Sequence, residues 1–124
     1  MGREIFSYPK PSKLIEKLID NTQIKEGYIL DFFCGSGTTA ESIIKMNLSE
    51  GIRKFIMIQL PESLDENIVR IKDKKEKTII ENQITLCDEC GYPHTLDYIG
   101  IERIKRVVKQ IKEEKKQNIK DKTL

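Results

Sequence analysis

The sequence YILDFFCGSGTTA, residues 28–40, decides the fold of this chain. Its apolar start at residues 28–30 predicts a short buried strand of a parallel sheet, and Asp31 stands at the carboxyl end of that strand. Gly35 and Gly37 follow at the spacing of a G-x-G-x-x-A turn, which lets the backbone approach a bound molecule. The pattern therefore predicts a strand, a glycine turn and a helix whose first N–H groups face a ligand.

The helix is expected to begin near Thr38. Thr38 followed by Glu41 forms a capping-box pattern, in which the two side chains satisfy the free N–H groups of the first turn. The helix should continue to about Asn47, and Gly51 should end the connection before a second strand at residues 54–60. Together these elements predict a βαβ unit.

The charge of Asp31 bears on the kind of cofactor, since glycine turns of this type bind nicotinamide, flavin and adenosyl cofactors alike. A pyrophosphate at the turn would be repelled by this carboxylate. S-adenosylmethionine has no pyrophosphate and carries a sulfonium and an ammonium group, which a carboxylate attracts. The sequence therefore favours S-adenosylmethionine. The alternative is that Asp31 only accepts hydrogen bonds from backbone amides of the turn.

Four segments of the chain resemble, in the same order, motifs of the modification subunits of type III restriction systems. These subunits are N6-adenine DNA methyltransferases of the β arrangement. The segments are FSYPKPSKLI at residues 6–15, DFFCGSGTTA at 31–40, RKFIMIQLPE at 53–62 and YIGIERIKRV at 98–107. The resemblance implies an α/β fold, namely part of the Rossmann-like S-adenosylmethionine-dependent methyltransferase fold, with an incomplete parallel sheet and flanking helices.

The glycine turn and the resemblance together give the candidate cofactor-binding residues. They are Lys10, Pro11, Ser12, Asp31, Phe33, Gly35, Ser36, Gly37, Thr38 and Gln59. By resemblance, Lys10 would face the carboxylate of the cofactor, and the alternative is an ordinary proline turn with Lys10 in solvent. Phe33 would form an aromatic wall, or simply belong to the core. Gln59 stands where many methyltransferases have an acidic residue that binds the ribose. By resemblance we assign Gln59 as the ribose contact, with Glu62 as a second candidate.

The resemblance also places the catalytic D-P-P-Y tetrapeptide and the target-recognition region upstream of these motifs, and no such tetrapeptide occurs here. No residue is therefore assigned as catalytic. The chain is expected to be the C-terminal, cofactor-binding part of an adenine-specific DNA methyltransferase, inactive alone, from a split gene, a decayed gene or an expressed fragment. Its expected partners are DNA, an upstream methyltransferase segment that carries the missing regions, and the restriction subunit.

The length of 124 residues suits one small domain, about half of a complete methyltransferase sheet with its helices. The predicted organisation is a cofactor-binding βαβ region with a preceding capping helix at residues 1–62, a variable polar insertion at 63–95, and a C-terminal helix with a charged tail at 96–124. A third strand is possible at 78–86, and the tail at 113–122 is expected to be frayed or disordered. Strands this apolar with so few helices imply exposed apolar surface and a partner.

The composition bounds the location and the partners. No apolar run approaches the roughly twenty residues of a membrane span, so a cytoplasmic location without membrane contact is expected. The 22 basic and 20 acidic side chains nearly balance, which by itself gives no argument for nucleic-acid binding. DNA contact is implied by the resemblance alone.

Cys87 and Cys90 form a C-x-x-C pattern with His94 nearby, and Cys34 lies in the glycine turn. Structural zinc usually needs four ligands from two paired motifs, and only one such pair is present. The surroundings also differ from those of a thioredoxin-like redox pair. We therefore assign no metal site, although the sequence leaves open whether Cys87 and Cys90 bind metal.

Two other classes of function remain open. One is a fragment of a nicotinamide-dependent oxidoreductase, which Asp31 and the lack of an acidic residue at the end of the second strand disfavour. The other is a non-catalytic module that helps an upstream chain to assemble.

Overall fold

The computed structural model describes Ile5 and residues 12–123, which form a two-stranded parallel sheet and five helices. The elements in chain order are α1 (Ser12–Asn21), β1 (Glu26–Asp31), α2 (Thr38–Ser49), β2 (Ile52–Met57), α3 (Leu64–Arg70), α4 (Lys74–Cys90) and α5 (Leu96–Thr123). The fold is therefore α/β, as the sequence predicts. Two of the candidate residues, Lys10 and Pro11, lie outside the described residues.

The βαβ unit predicted around the glycine turn is confirmed. The parallel register pairs Glu26 with Ile52 at one end and Asp31 with Met57 at the other. The second strand begins and ends earlier than the predicted range of residues 54–60. It ends at Met57, and just beyond this end the Ile58 N–H donates to the Asp31 carbonyl at 2.9 Å.

The two faces of the sheet differ in exposure. One face packs against α2. The other carries Tyr28, Leu30, Ile52 and Ile56, whose side chains are between 46% and 69% exposed. The Lys54 Nζ atom lies 5.5 Å from the centre of the Tyr28 ring, as expected for neighbours on one face. A parallel sheet normally has helices on both faces, so this apolar face is uncovered in the described part of the chain.

The possible third strand at residues 78–86 was a wrong prediction, because this segment lies inside α4. The helix begins after Asp73, whose side chain accepts a hydrogen bond from the Glu76 N–H at 2.9 Å, and it ends at Gly91 with φ of 69°. Its buried residues recur at helical spacing and are Ile79, Ile80, Gln83, Leu86 and Cys87. The apolar residues of this segment therefore follow the spacing of a helix between two clear caps, and this pattern is a better guide to its structure than the short apolar runs that suggested a strand.

The main hydrophobic core lies among the last three helices. It is formed by Leu64 of α3, Ile80, Leu86 and Cys87 of α4, and Ile99 of α5. Residues 63–95, predicted to be a polar insertion, thus supply most of this core. Whether the segment is an insertion relative to related proteins, and where the domain boundaries fall, remain predictions.

The C-terminal tail is helical, so the prediction of a frayed or disordered tail at residues 113–122 was wrong. Polar side chains four residues apart pair along this part of α5. Gln110 donates to Glu114 at 2.8 Å, and Gln117 donates to Asp121 at 3.0 Å. Although α5 has 28 residues, neither it nor any other described helix is long and apolar enough to cross a membrane.

The C-x-x-C pattern lies at the end of α4, where Cys87 is fully buried and Cys90 is exposed. Burial, and then the charges of Cys90 and Asp88, raises the pKa of the Cys87 thiol. A thiol with a raised pKa is a poor metal ligand, because zinc binds the thiolate. Among the residues that the structure describes, no group of three or more His, Cys, Asp or Glu side chains could hold a metal ion.

The His94 ring joins α3 to α4. Its Nδ1 atom lies 3.0 Å from Asp65 Oδ1, and its Nε2 atom lies 2.8 Å from Asp88 Oδ1. Hydrogen bonds, first to Asp88 and then to Asp65, raise the pKa of His94 above its ordinary value. The protonated ring can donate to both carboxylates at once, so protonation favours the packing of these helices.

Replacing His94 with Gln should reduce stability in a pH-dependent way. A raised pKa in the folded protein means that the contribution is fully present below the pKa of the unfolded chain and is lost as pH rises through the folded value. Urea unfolding at about pH 5.5 should separate wild type from His94→Gln, and the gap should close towards about pH 8.5. His94 is the only histidine of the chain, so no other imidazole titrates in this range. A gap that stays constant over the range would contradict the prediction.

Candidate cofactor-binding site

The glycine turn connects β1 to α2 in the conformation that its glycines permit. Gly35 has φ of 50° and Gly37 has φ of 81°, both in the left-handed region. The Cys34 N–H donates to the Ile58 carbonyl at 3.3 Å, and the Gly37 N–H donates to the Cys34 carbonyl at 2.8 Å. The turn is therefore closed by backbone hydrogen bonds at the carboxyl ends of both strands.

Asp31 uses both carboxylate oxygens inside the turn. Oδ1 accepts a hydrogen bond from the Phe33 N–H at 3.0 Å, and Oδ2 accepts one from the Thr39 hydroxyl at 2.6 Å. The bracing role that the sequence left open for Asp31 is therefore present. A carboxylate has about four acceptor positions, so these two bonds leave capacity for a ligand. Its role in selecting the cofactor remains a prediction.

Gln59 also holds the turn. Its Oε1 atom accepts a hydrogen bond from the Gly35 N–H at 2.8 Å, and its Nε2 atom donates to the Leu60 carbonyl at 3.3 Å. The carbonyl oxygen is thus occupied by the turn itself. The amide nitrogen, which has a second N–H, is the group of Gln59 that suits a ribose oxygen. The predicted ribose contact remains a prediction.

Thr38 does not cap α2 as predicted. Gly37 is the residue at the N-cap, and no side chain caps this helix end. The Glu41 carboxylate accepts hydrogen bonds from Lys45 at 2.5 Å and from Arg103 at 2.6 Å instead of reaching back to the backbone. The capping-box prediction was wrong because cations, one of them on α5, bind Glu41 more strongly than a neutral N–H would.

Two further candidate residues that the structure describes are Phe33 and Ser12. Phe33 is 85% exposed, so its side chain is not in the core, and its role as an aromatic wall for the cofactor remains a prediction. Ser12 begins α1, and its carbonyl accepts a hydrogen bond at 3.1 Å from Ser42 of α2. The structure thus brings Asp31, Gly35 and Gln59 together at the turn, while the ligand contacts of all the candidate residues remain predictions.

A cavity of about 240 Å³ opens beside the turn. Its lining comes from the turn and β2 on one side and from α5 on the other, with Cys34, Gly37, Met57, Gln59, Asp97, Gly100, Ile101 and Ile104. Small-molecule sites usually measure about 300–1,000 Å³, so this cavity could enclose only part of an adenosyl cofactor. A larger depression of about 550 Å³ beside α1 touches none of the candidate residues that the structure describes.

Asp97 is a site residue that the sequence analysis missed. It lies in the first turn of α5 and lines the cavity. Its Oδ1 atom is buried and has no hydrogen-bond partner among the described residues. An unpaired buried oxygen is costly, so a donor group of a ligand would be favourable here. In sequence, an acidic residue in a first helical turn looks like an ordinary partner of the helix dipole, so no signal distinguished Asp97.

Cys34 is not activated as a nucleophile. Burial, followed by the charges of Asp31 and Asp97, raises the pKa of its thiol. The thiol therefore stays protonated near neutral pH, where nucleophilic chemistry would need the thiolate. In this turn Cys34 serves as a small residue whose backbone closes the loop.

Comparisons with known proteins place these motifs in a family context. The chain matches the family model of N6/N4 DNA methylases over residues 2–113. It is 35% identical over 112 residues to the type III restriction-modification enzyme StyLTI Mod subunit of Salmonella typhimurium, covering 90% of this chain and 14% of the relative. It is 33% identical to the EcoPI Mod subunit of Escherichia phage P1, covering 78% of this chain and 18% of the relative.

A further relative matches over a shorter region. The type II methyltransferase M.KpnI of Klebsiella pneumoniae is 39% identical over 59 residues, covering 47% of this chain and 14% of the relative. The chain thus spans at most 18% of the length of these three relatives. No solved structure is significantly similar to it.

Replacing Gly37 with Ala should destabilise the protein more than the same change at Gly91. Both residues have left-handed φ, 81° and 69°, so both changes add backbone strain of about 1–2 kcal/mol. A Cβ atom at Gly37 would also lie 3.3 Å from the Gly100 carbonyl oxygen in α5, whereas a Cβ at Gly91 meets nothing within 4 Å. Urea unfolding of the two variants measures the difference. Equal losses would show that α5 does not pack closely against the turn.

Proposed function

The chain belongs to the N6/N4 DNA methylase family, and from that premise we propose that it binds S-adenosylmethionine at the glycine turn. It would serve as the cofactor-binding part of a site-specific adenine-N6 DNA methyltransferase of a restriction-modification system, within a Rossmann-like methyltransferase fold. One observation carries the proposal. The strand, the braced Asp31, the two glycines and α2 meet at the carboxyl edge of a parallel sheet, beside a cavity lined by Gln59 and Asp97.

The charges at this edge suit a cationic adenosyl compound. The Asp31 carboxylate binds groups of the turn and α2, Asp97 lines the cavity beside the turn, and the charges of both act on Cys34. The sulfonium and ammonium of the cofactor are positive, so these two carboxylates would attract them. The unpaired Oδ1 of Asp97 would accept a hydrogen bond from an amino or hydroxyl group of the adenosine. The second N–H of Gln59 would donate to a ribose oxygen. Two carboxylates would repel a pyrophosphate, which disfavours a nicotinamide-dependent oxidoreductase fragment.

The residues that are present suggest which steps of methyl transfer this chain would perform and which an upstream segment would perform. Bound S-adenosylmethionine would supply a methyl group to the exocyclic nitrogen of an adenine flipped out of the duplex. By resemblance, the D-P-P-Y residues that orient this nitrogen belong to an upstream segment, and the chain contains no such tetrapeptide. This chain would therefore hold the methyl donor, and we propose none of its residues as catalytic.

The uncovered face of the sheet supports a protein partner. Tyr28, Leu30, Ile52 and Ile56 expose apolar side chains that a parallel sheet normally buries under helices. We propose that the upstream methyltransferase segment, carrying the catalytic and target-recognition regions, covers this face. DNA and the restriction subunit are further proposed partners, since two of the relatives are Mod subunits of type III restriction-modification enzymes.

The same face favours a second candidate function. A chain that covers a partner through its sheet could act as a non-catalytic assembly module even if its turn held no cofactor. The two functions differ in ligand binding, because only the first requires affinity for an adenosyl compound.

Isothermal calorimetry with the three ligands S-adenosylmethionine, S-adenosylhomocysteine and NAD tests the proposal. We expect heat with the first two and none with NAD. Asp31→Asn should weaken S-adenosylmethionine binding by about 1–3 kcal/mol, the range for a hydrogen bond to a charged group, and should weaken adenosine binding less. Adenosine lacks the sulfonium and the ammonium that the carboxylate attracts.

The matched control is Asp20→Asn, which removes an exposed carboxylate of α1 and should leave both affinities unchanged. Circular dichroism checks that each variant is folded. Equal losses for the two ligands in Asp31→Asn would mean that Asp31 braces the turn without selecting the cofactor. Heat with NAD would favour the oxidoreductase fragment, and no heat with any ligand would favour the assembly module.

We also expect the purified chain alone to transfer no methyl group to DNA, because it lacks the groups that position the acceptor. Incorporation of tritiated methyl groups into plasmid adenine measures this directly. Addition of an upstream chain that carries D-P-P-Y should produce activity. Transfer by the chain alone would overturn the assignment of the catalytic groups to another segment.

A further inference from the structure

We propose that Arg103 of α5 is a positioning residue of the cofactor site, whose guanidinium fixes the glycine turn and the start of α2 in the conformation that receives the ligand. The identity of that ligand rests on the function proposed above. The contacts between Arg103 and the turn do not depend on it.

The guanidinium reaches three residues of the turn and helix. Arg103 Nη1 donates to the Ser36 hydroxyl at 2.9 Å and to the Thr38 hydroxyl at 3.0 Å. Its Nε atom donates to Glu41 Oε2 at 2.6 Å, and Nη2 lies at the same distance from that oxygen. The planar fork of an arginine can span such separated oxygens, which a lysine ammonium cannot do in the same way. Arg103 therefore ties the turn to the first turn of α2.

The ion pair with Glu41 is mostly shielded from water. The side chains of Arg103 and Glu41 are each 14% exposed. Burial would raise the pKa of the Glu41 carboxyl, but the hydrogen bonds from Lys45 and Arg103 outweigh it and hold that pKa below its ordinary value. Glu41 is therefore charged at neutral pH. Such a pair resists rearrangement better than an exposed one, because opening it leaves a poorly solvated charge.

A close backbone contact sets the position of Arg103. A Cβ atom at Gly100 would lie 3.1 Å from the Gly35 carbonyl oxygen, so α5 touches the turn with no side chain between them. Arg103 follows Gly100 by three residues and therefore lies on the same face of the helix. The missing side chain at Gly100 lets the helix approach, and the approach brings Arg103 within reach of Ser36.

The turn is thus held from two sides. Gln59 at the end of β2 binds the Gly35 N–H, and Arg103 binds Ser36 on the side of α5. A loop that is already ordered loses little conformational entropy when a ligand binds, which favours affinity. Helix α5 is therefore part of the site, because its residues line one side of the cavity and its Arg103 holds the glycine turn on the other side.

The test compares Arg103→Met with the matched control Arg106→Met in the 124-residue chain. Arg106 lies on the same helix, is 56% exposed and pairs with Glu102 at the i,i+4 spacing. In the ligand-free protein, amide exchange at Gly35 and Gly37 should be at least about tenfold faster in Arg103→Met. Exchange at Ile80 and Leu86 in the helical core should match the control. Affinity for S-adenosylhomocysteine should fall by about tenfold or more in Arg103→Met only.

A second pair of variants separates positioning from general stability. Arg103→Lys keeps the charge and should keep the fold intact, but its affinity should stay below that of the wild type, because a lysine cannot span the three oxygens. Gly100→Ala keeps Arg103 and should also speed exchange at Gly35, because its Cβ displaces α5 from the turn.

Four results would overturn the inference. They are unchanged exchange at Gly35 and Gly37 in Arg103→Met, faster exchange spread equally over the core of α4, affinity equal to that of the control, and wild-type affinity in Arg103→Lys. If the wild-type chain binds no S-adenosylhomocysteine, the proposed function fails, and the exchange measurements alone then decide the role of Arg103.

Discussion

The passage from β1 into α2 through two glycines with left-handed φ is the constraint on which the rest of the structure depends. The turn places backbone N–H groups at the carboxyl edge of the sheet, and each must find an acceptor. The Asp31 carboxylate, the Gln59 amide and the Ile58 carbonyl supply these acceptors from the ends of both strands. The turn therefore fixes where β2 ends, how α2 leaves the sheet and how closely α5 can approach.

The elements nearest the turn could be predicted from the sequence because their signals are local. The apolar run before Asp31 and the spacing of Gly35 and Gly37 depend on neighbours a few residues away, and the βαβ unit was predicted correctly from them. The prediction of a strand at residues 78–86 was wrong because a short apolar run is compatible with both a strand and a buried helix. There the caps at Asp73 and Gly91 were the better guide.

The parts of the site that were missed depend on contacts between distant residues. Arg103 binds Glu41 across 62 positions of the chain, and this contact displaced the local capping box predicted for Thr38. Asp97 lines the cavity because α5 packs against the turn, which no motif of its own segment reveals. Local patterns thus predicted which backbone forms the site, while packing decided which side chains complete it.

The sheet has a consequence for the behaviour of the isolated chain in solution. With two strands in the described residues, each strand has one edge that no other strand pairs with, next to an apolar face. On the β2 edge, the Asn47 side chain binds the N–H and the carbonyl of Arg53. Such edges are templates for pairing with a second copy, and a net charge of +2 provides little repulsion between copies. A partner that pairs with these edges and covers the apolar face would therefore also keep the chain soluble, because it removes the surface through which copies of the chain would aggregate.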